Sequence, residues 1–155
     1  MLNWCVIVLL VIIDQLTKML AITYLKPITT QNFLDGVVNF TYVENTGVAF
    51  GMFKDMHYLI VPITIVVTCI CLYFMLKAKK ENYSKLSYVF GVISAGAIGN
   101  ILDKIFRGFV VDFIEFDFVQ FPVFNFADIC VSLGAVAFAV LIIFTKDGEF
   151  FADKK

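Results

Sequence analysis

Apolar residues along this chain gather into four long segments separated by polar connections. The segments run about 2–25, 58–76, 86–106 and 126–144, and each approaches the ~20 residues that a helix needs to cross a bilayer. The pattern predicts an all-α integral membrane protein with four transmembrane helices, forming a single membrane-embedded domain over residues 1–155. The first segment is interrupted by Asp14, Gln15 and Lys18, and no Lys or Arg precedes its apolar run. It therefore reads as a permanent span and not as a cleavable leader. The 26–57 connection is too long for a plain turn. Its Val37–Val43 stretch is rich in β-branched and aromatic residues, so a small extracytoplasmic β element is expected between helices 1 and 2.

Composition strengthens the membrane reading. The chain is 61% apolar with 16% charged residues, against roughly 45–50% and roughly 25% in soluble domains, and its mean hydropathy is +0.90. The formal net charge of −1 gives no reason to invoke nucleic acid. Cys5, Cys69, Cys71 and Cys130 all fall in apolar stretches, where a thiol acts as a small hydrophobe. With His57 the only histidine, metal chemistry has few ligands to draw on, and no metal is expected. Lysines set the orientation. Residues 77–85 hold four of them, and Lys146, Lys154 and Lys155 follow the last span. By the positive-inside rule both termini are cytoplasmic, and the 26–57 and 107–125 connections face outward.

Polar groups inside such a chain need a reason, because a charge at the bilayer centre costs ~2.5–3.5 kcal/mol on insertion scales. Asp14 and Lys18 are four residues apart on one helical face, as a structural ion pair or as part of a site. Asn45 opens the stretch Asn45–Gly51, which reads either as a turn or as a source of amide groups for an extended ligand. Asn100, Asp103, Lys104 and Arg107 recur at helical spacings and line one side of the outer end of the third span, where Arg107 can snorkel to water. Gly91, Ala95 and Gly99 recur every four residues in the same span and predict close helix packing. Asp112 lies among Phe109, Val110, Val111, Phe113 and Ile114, surroundings that should raise a carboxyl pKa by desolvation. Asn125 is a candidate N-cap for the fourth span with Asp128 at the third helical position, as in a capping box.

Sixteen residues separate Asp112 from Asp128. Because the third and fourth spans run antiparallel, both aspartates are expected at the outer ends of adjacent helices, at one membrane depth. Two such carboxyls at the edge of a low-dielectric medium couple their titrations. One ionised and one protonated carboxyl sharing a water is the aspartic-protease arrangement, which this spacing permits.

Four motifs in order resemble the lipoprotein signal peptidases (signal peptidase II) of bacteria: Asp14-Gln15-Leu16-Thr17-Lys18, then Asn45-Thr46-Gly47-Val48-Ala49-Phe50, then Gly99 to Asp103 leading to Val111-Asp112-Phe113, and last Phe124-Asn125-Phe126-Ala127-Asp128. The resemblance covers essentially the whole chain. It implies an aspartyl endopeptidase of the bacterial plasma (inner) membrane that cuts diacylglyceryl-modified prolipoproteins just before the modified cysteine, on the outer side. It implies Asp112 and Asp128 as the catalytic pair. Asp14, Lys18, Asn45, Asn100, Asp103, Lys104 and Asn125 become the substrate-binding set. It further implies no cofactor, a monomer among membrane lipids, and a signal peptide as the partner. One position departs from the family, where Arg usually follows the third motif's Asp and this chain has Lys104. Lys offers a point charge in place of a planar fork. Lys104 is expected to orient the substrate less rigidly, with Arg107 pointing nearer to water.

The mechanism expected is general acid–base hydrolysis, with Asp128 as the ionised base at a helix N-terminus and Asp112 as the acid in its apolar run. Two other classes compete: a small proton-coupled transporter with Asp14, Lys18, Asp103 and Asp112 as its relay, and a scaffold with structural ion pairs. Transporters commonly carry internal repeats and broken helices, and neither is apparent in this sequence.

Overall fold

A computed structural model describes residues 2–47 and 57–151, with His57 and Tyr58 described in backbone only. Helix α1 (Leu2–Leu20) continues into a π-helical turn at Ala21–Leu25. Strands β1 (Thr30–Leu34) and β2 (Val38–Asn45) follow, then α2 (His57–Lys80), α3 (Ser84–Arg107), strand β3 (Val110–Phe116) and α4 (Phe126–Phe144). A 3-10 segment at Lys146–Phe151 ends the described chain. Among the described residues, four helical stretches are long and apolar enough to cross a membrane: Leu2–Leu25, Leu59–Lys80, Ser84–Arg107 and Phe126–Phe144. Helices α2 and α3 reach further into the lysine-rich connection than the hydropathy alone marks. Lys77, Lys79 and Lys80 form the last turn of α2, where cations suit the helix dipole.

The bundle is arranged for lipid as its solvent. On α1, Leu9, Ile12, Leu16 and Met19 face outward while Asp14 and Lys18 are buried. Apolar residues thus cover the outside and polar ones are kept within, where each can find a partner. Helix α3 is the central element and packs against α1, α2 and α4. Its small residues make this possible. A Cβ at Gly96 would overlap the carbonyl of Ala127, and one at Gly99 would overlap the carboxylate of Asp14. The packing expected of this small-residue face is present.

At the end of the bundle nearer the chain termini, Ile7, Met75, Ala78, Leu86, Phe90, Ala95 and Phe150 form an apolar core. Phe74 stacks on Phe90 with centroids 5.6 Å apart, and Lys77 Nζ sits 5.0 Å above the Phe150 ring. Asn3 Nδ2 donates to Ser87 Oγ at 2.6 Å, and that hydroxyl donates to the Met75 carbonyl at 2.8 Å, which ties three helices together with neutral groups.

At the other end lies a three-stranded antiparallel sheet in the order β1–β2–β3. The β element is therefore larger than expected, because its third strand comes from the α3–α4 connection. Gly108 stops α3 in a left-handed conformation (φ 80°), a backbone geometry that glycine adopts without strain. The β-branched and aromatic residues that follow then pair with β2, so that Val43 faces Asp112 and Asn45 faces Val110. Asp112 accordingly stands on a strand and not at the end of a helix, which corrects the sequence expectation. Alternate residues of β3 point to opposite faces. Val111 and Phe113 pack on Ala21 and Leu25 of the π-helical turn, which leaves Asp112 to the opposite side.

Candidate active site

Helix α4 begins as its sequence suggests. Asn125 caps it by accepting from the Asp128 backbone N–H at 3.0 Å, and Asp128 Oδ2 accepts from the Asn125 N–H at 3.1 Å. The capping box does more than finish a helix. The same Asn125 side chain donates from Nδ2 to Asp112 Oδ1 at 2.6 Å, so one fully buried amide touches both aspartates. The second oxygen of Asp112 accepts from Asn45 Nδ2 at 2.9 Å, a contact set up by the strand register that carries both residues. Asn45 also makes the turn read from its sequence, because its Oδ1 accepts from the Gly47 N–H at 3.0 Å. The turn expected at Asn45 is therefore present, and its amide N–H is given to Asp112. The rest of that motif, Val48 to Phe50, lies outside the described residues.

Asn100 completes the ring of amides. Its Nδ2 donates to Asp128 Oδ1 at 2.8 Å, and its Oδ1 accepts from Lys18 Nζ at 2.8 Å and from Asn125 Nδ2 at 3.3 Å. Lys104 donates to the Gly47 carbonyl at 3.0 Å, with its charge in electrostatic reach of both Asp112 and Asp128. Behind these groups lies a cluster of buried charges. Lys18 Nζ is 3.0 Å from Asp14 Oδ2 and 3.1 Å from Asp103 Oδ2, with all three side chains essentially inaccessible. Asp14 Oδ1 accepts from the Ala127 N–H, and Asp103 Oδ2 from the Val111 N–H, both at 3.0 Å.

Arg107 differs from the expectation. It turns inward to Asp103, one helical turn away, and donates to Gln15 Oε1 at 3.0 Å. A carboxylate with no access to water attracts the guanidinium more strongly than the interface does. Gln15 was not read as a site residue, yet it also donates to Asp14, to the Gly99 carbonyl and to Asp103. An uncharged polar residue inside a span was the signal that could have found it.

Burial first, and the charge of Asp128 second, push the Asp112 carboxyl up from 3.8 to about 7, against the lowering pull of Asn45 and Asn125. An aspartate poised near neutrality beside a second carboxylate can hold or release a proton at physiological pH.

A family model described as signal peptidase (SPase) II matches residues 6–144. This chain belongs to the signal peptidase II family. Similar proteins include the lipoprotein signal peptidase of Caldanaerobacter subterraneus subsp. tengcongensis, 42% identical over 140 residues, which covers 90% of this chain and 94% of that protein. The lipoprotein signal peptidase of Clostridium tetani is 38% identical over 153 residues, covering 97% and 96%. A bacterial membrane enzyme solved by the in meso method at 2.3 Å resolution is 29% identical. It superposes with a TM-score of 0.83 over 99% of this chain and 93% of its own. As a signal peptidase II family member the protein is a membrane peptidase, a hydrolase. The transporter and scaffold readings give way to that membership.

Of the nine residues marked from sequence in this signal peptidase II chain, all are joined by one hydrogen-bonded and ionic network. Lys104 enters it through the Gly47 carbonyl and Asn45. Asp112, Asp128 and the amides of Asn45, Asn100 and Asn125 form one group. Asp14, Lys18 and Asp103 form the buried layer beneath it.

Proposed function

We propose that this protein removes signal peptides from prolipoproteins, cutting immediately before the lipid-modified cysteine at the outer face of the plasma membrane, with Asp112 and Asp128 as the catalytic pair. The single observation that carries the chemistry is Asn125, whose one side chain bonds both the Asp112 carboxylate and the backbone of Asp128. Two aspartates from different elements are thus held to a common amide, which suits a pair that must share one water.

Asp128, at the third position of α4, is the base. Asp112, raised toward neutrality, is the acid. The base removes a proton from the water, the oxygen attacks the scissile carbonyl, and the proton of Asp112 stabilises the oxygen before passing to the leaving amine. No covalent intermediate forms, and the reaction as proposed uses no cofactor. Lys104, whose charge reaches both aspartates, orients a substrate carbonyl as a point charge. The lysines that end α2 stand on the cytoplasmic side, so the sheet and the aspartates face outward.

The test is cleavage of a diacylglyceryl-modified precursor by the full chain in liposomes, with the products identified by mass. A product beginning at the modified cysteine is expected. Cleavage elsewhere, or no dependence on the lipid, would refute the substrate assignment. For orientation, a cysteine placed at Asn32 should react with an impermeant reagent on whole cells and one at Ser84 should not. The reverse pattern would place the site on the wrong side.

A further inference from the structure

The residue just before each aspartate is held in the same way. The Val111 N–H, one position before Asp112, donates to Asp103 Oδ2, and the Ala127 N–H, one position before Asp128, donates to Asp14 Oδ1. Both bonds are 3.0 Å long and both acceptors are buried carboxylates. One ammonium links those carboxylates. Lys18 Nζ lies 3.0 Å from Asp14 Oδ2, 3.1 Å from Asp103 Oδ2 and 2.8 Å from Asn100 Oδ1. We propose that Lys18 is a positioning residue: by tying together the two carboxylates that hold the chain ahead of Asp112 and ahead of Asp128, it sets the separation of the reacting pair.

An ammonium has three protons and no acceptor, and here it meets three protein oxygens at 0% side-chain exposure. Nothing on it remains for a substrate. The three acceptors come from α1 and from two turns of α3, while the amides they hold come from β3 and α4. Lys18 therefore ties a strand to a helix from the α1 and α3 side, in addition to the backbone bonds by which Phe124, just ahead of α4, pairs with Phe113 and Ile114 of β3. The charges also balance. Asp14 and Asp103 face Lys18 and Arg107, so loss of the Lys18 charge leaves two carboxylates against one cation. Gly99 is part of the same device, because a Cβ there would enter the space of the Asp14 carboxylate.

The proposal rests on Asp112 and Asp128 being the reacting pair, and its test separates the two ideas. Full-length Lys18→Met in nanodiscs should lose about a hundredfold in kcat, the scale of a small misplacement, with KM nearly unchanged. Peptides spanning 109–116 and 125–130 should exchange amide hydrogens faster together, while those in 84–95 stay as in the parent. A raised KM with kcat retained would overturn the proposal in favour of substrate contact. Unchanged exchange in both segments would overturn it as well. Should Lys18→Met fail to insert, Gly99→Ala keeps every charge and displaces only the Asp14 arm. It should lower kcat at constant KM and speed exchange in 125–130 but not in 109–116, and a parent-like kcat would overturn the proposal. Asp112→Asn and Asp128→Asn run alongside. If those two still cleave, the assignment of the reacting pair fails, and the exchange data still report whether Lys18 ties the two segments.

Discussion

The two ends of this bundle solve the same packing problem with opposite chemistry. At the end near the termini, Phe74, Phe90, Phe150 and their neighbours fill the space, and the polar tie Asn3–Ser87–Met75 is neutral throughout. At the sheet end, Asp14, Lys18, Asp103 and Arg107 take the corresponding position between helices. Burying ions costs several kcal/mol each before pairing repays it, and apolar replacements of comparable volume are often as stable. Cohesion alone therefore does not explain the charged end. What the charges do that phenylalanines cannot is accept hydrogen bonds from chosen backbone groups, Val111 and Ala127, and hold them at defined positions. One end is built for cohesion and the other for placement.

Asp103→Leu strains that contrast hardest. It removes the acceptor of the Val111 N–H and leaves Lys18 and Arg107 facing the single carboxylate of Asp14, so about 3–5 kcal/mol of stability should be lost together with turnover, measured by unfolding in detergent and by cleavage. Asn125→Ala comes next. The cap is worth about 1 kcal/mol, but the amide also holds Asp112, so kcat should fall by roughly 10²–10³, the scale of losing a positioned donor. A loss confined to stability would return Asn125 to a purely capping role. Lys104→Met should lower turnover by about ten- to a hundredfold without moving the melting temperature, and Lys104→Arg should keep or raise it. Unchanged turnover in Lys104→Met would remove the orienting role. At the cohesive end, Ser87→Ala should cost about 1–3 kcal/mol for its stranded partners, while each folded molecule turns over normally.

The smallest effect is in pH. Asp112 holds its proton up to about 7 in the folded protein and to 3.8 in its ordinary state. Between those values the folded form binds more protons, so this group's contribution to stability is present below about 4 and is lost as pH rises through about 7. Asp112→Asn should flatten that slope. If the protonated form is the acid, kcat/KM should fall above about pH 7. Asn45→Ala removes a bond that lowers the pKa, so the alkaline limb should move upward. A downward shift would contradict the assignment of Asp112 as acid.

What was legible in the sequence follows from which signals are local. The spans were readable because lipid demands long apolar runs, and the Asn125–Asp128 cap because its two members are three residues apart. Strand β3 was hidden because Val110, Val111 and Phe113 are all buried, which erases the alternation of a half-exposed strand. The Gly108 stop signal was there to be used. The bonds from Asp14 to Ala127 and from Asp103 to Val111 were out of reach, since a backbone N–H carries no mark of its partner. Arg107 was misplaced for a related reason. Its carboxylate lies on its own helix, but the burial of that carboxylate is set by α1 and β3.

The central claim is that Asp112 and Asp128 perform the hydrolysis, and the direct measurement is single-turnover cleavage of a lipid-modified precursor by Asp112→Asn and Asp128→Asn. Asn keeps the volume, and at 128 it keeps the oxygen that accepts from the cap, so both variants should insert and melt close to the parent. Each should lose about 10³-fold or more in rate, on the scale of acid–base catalysis. Near-normal turnover in Asp128→Asn would mean that its carboxylate serves only to cap α4, and the peptidase would need another base.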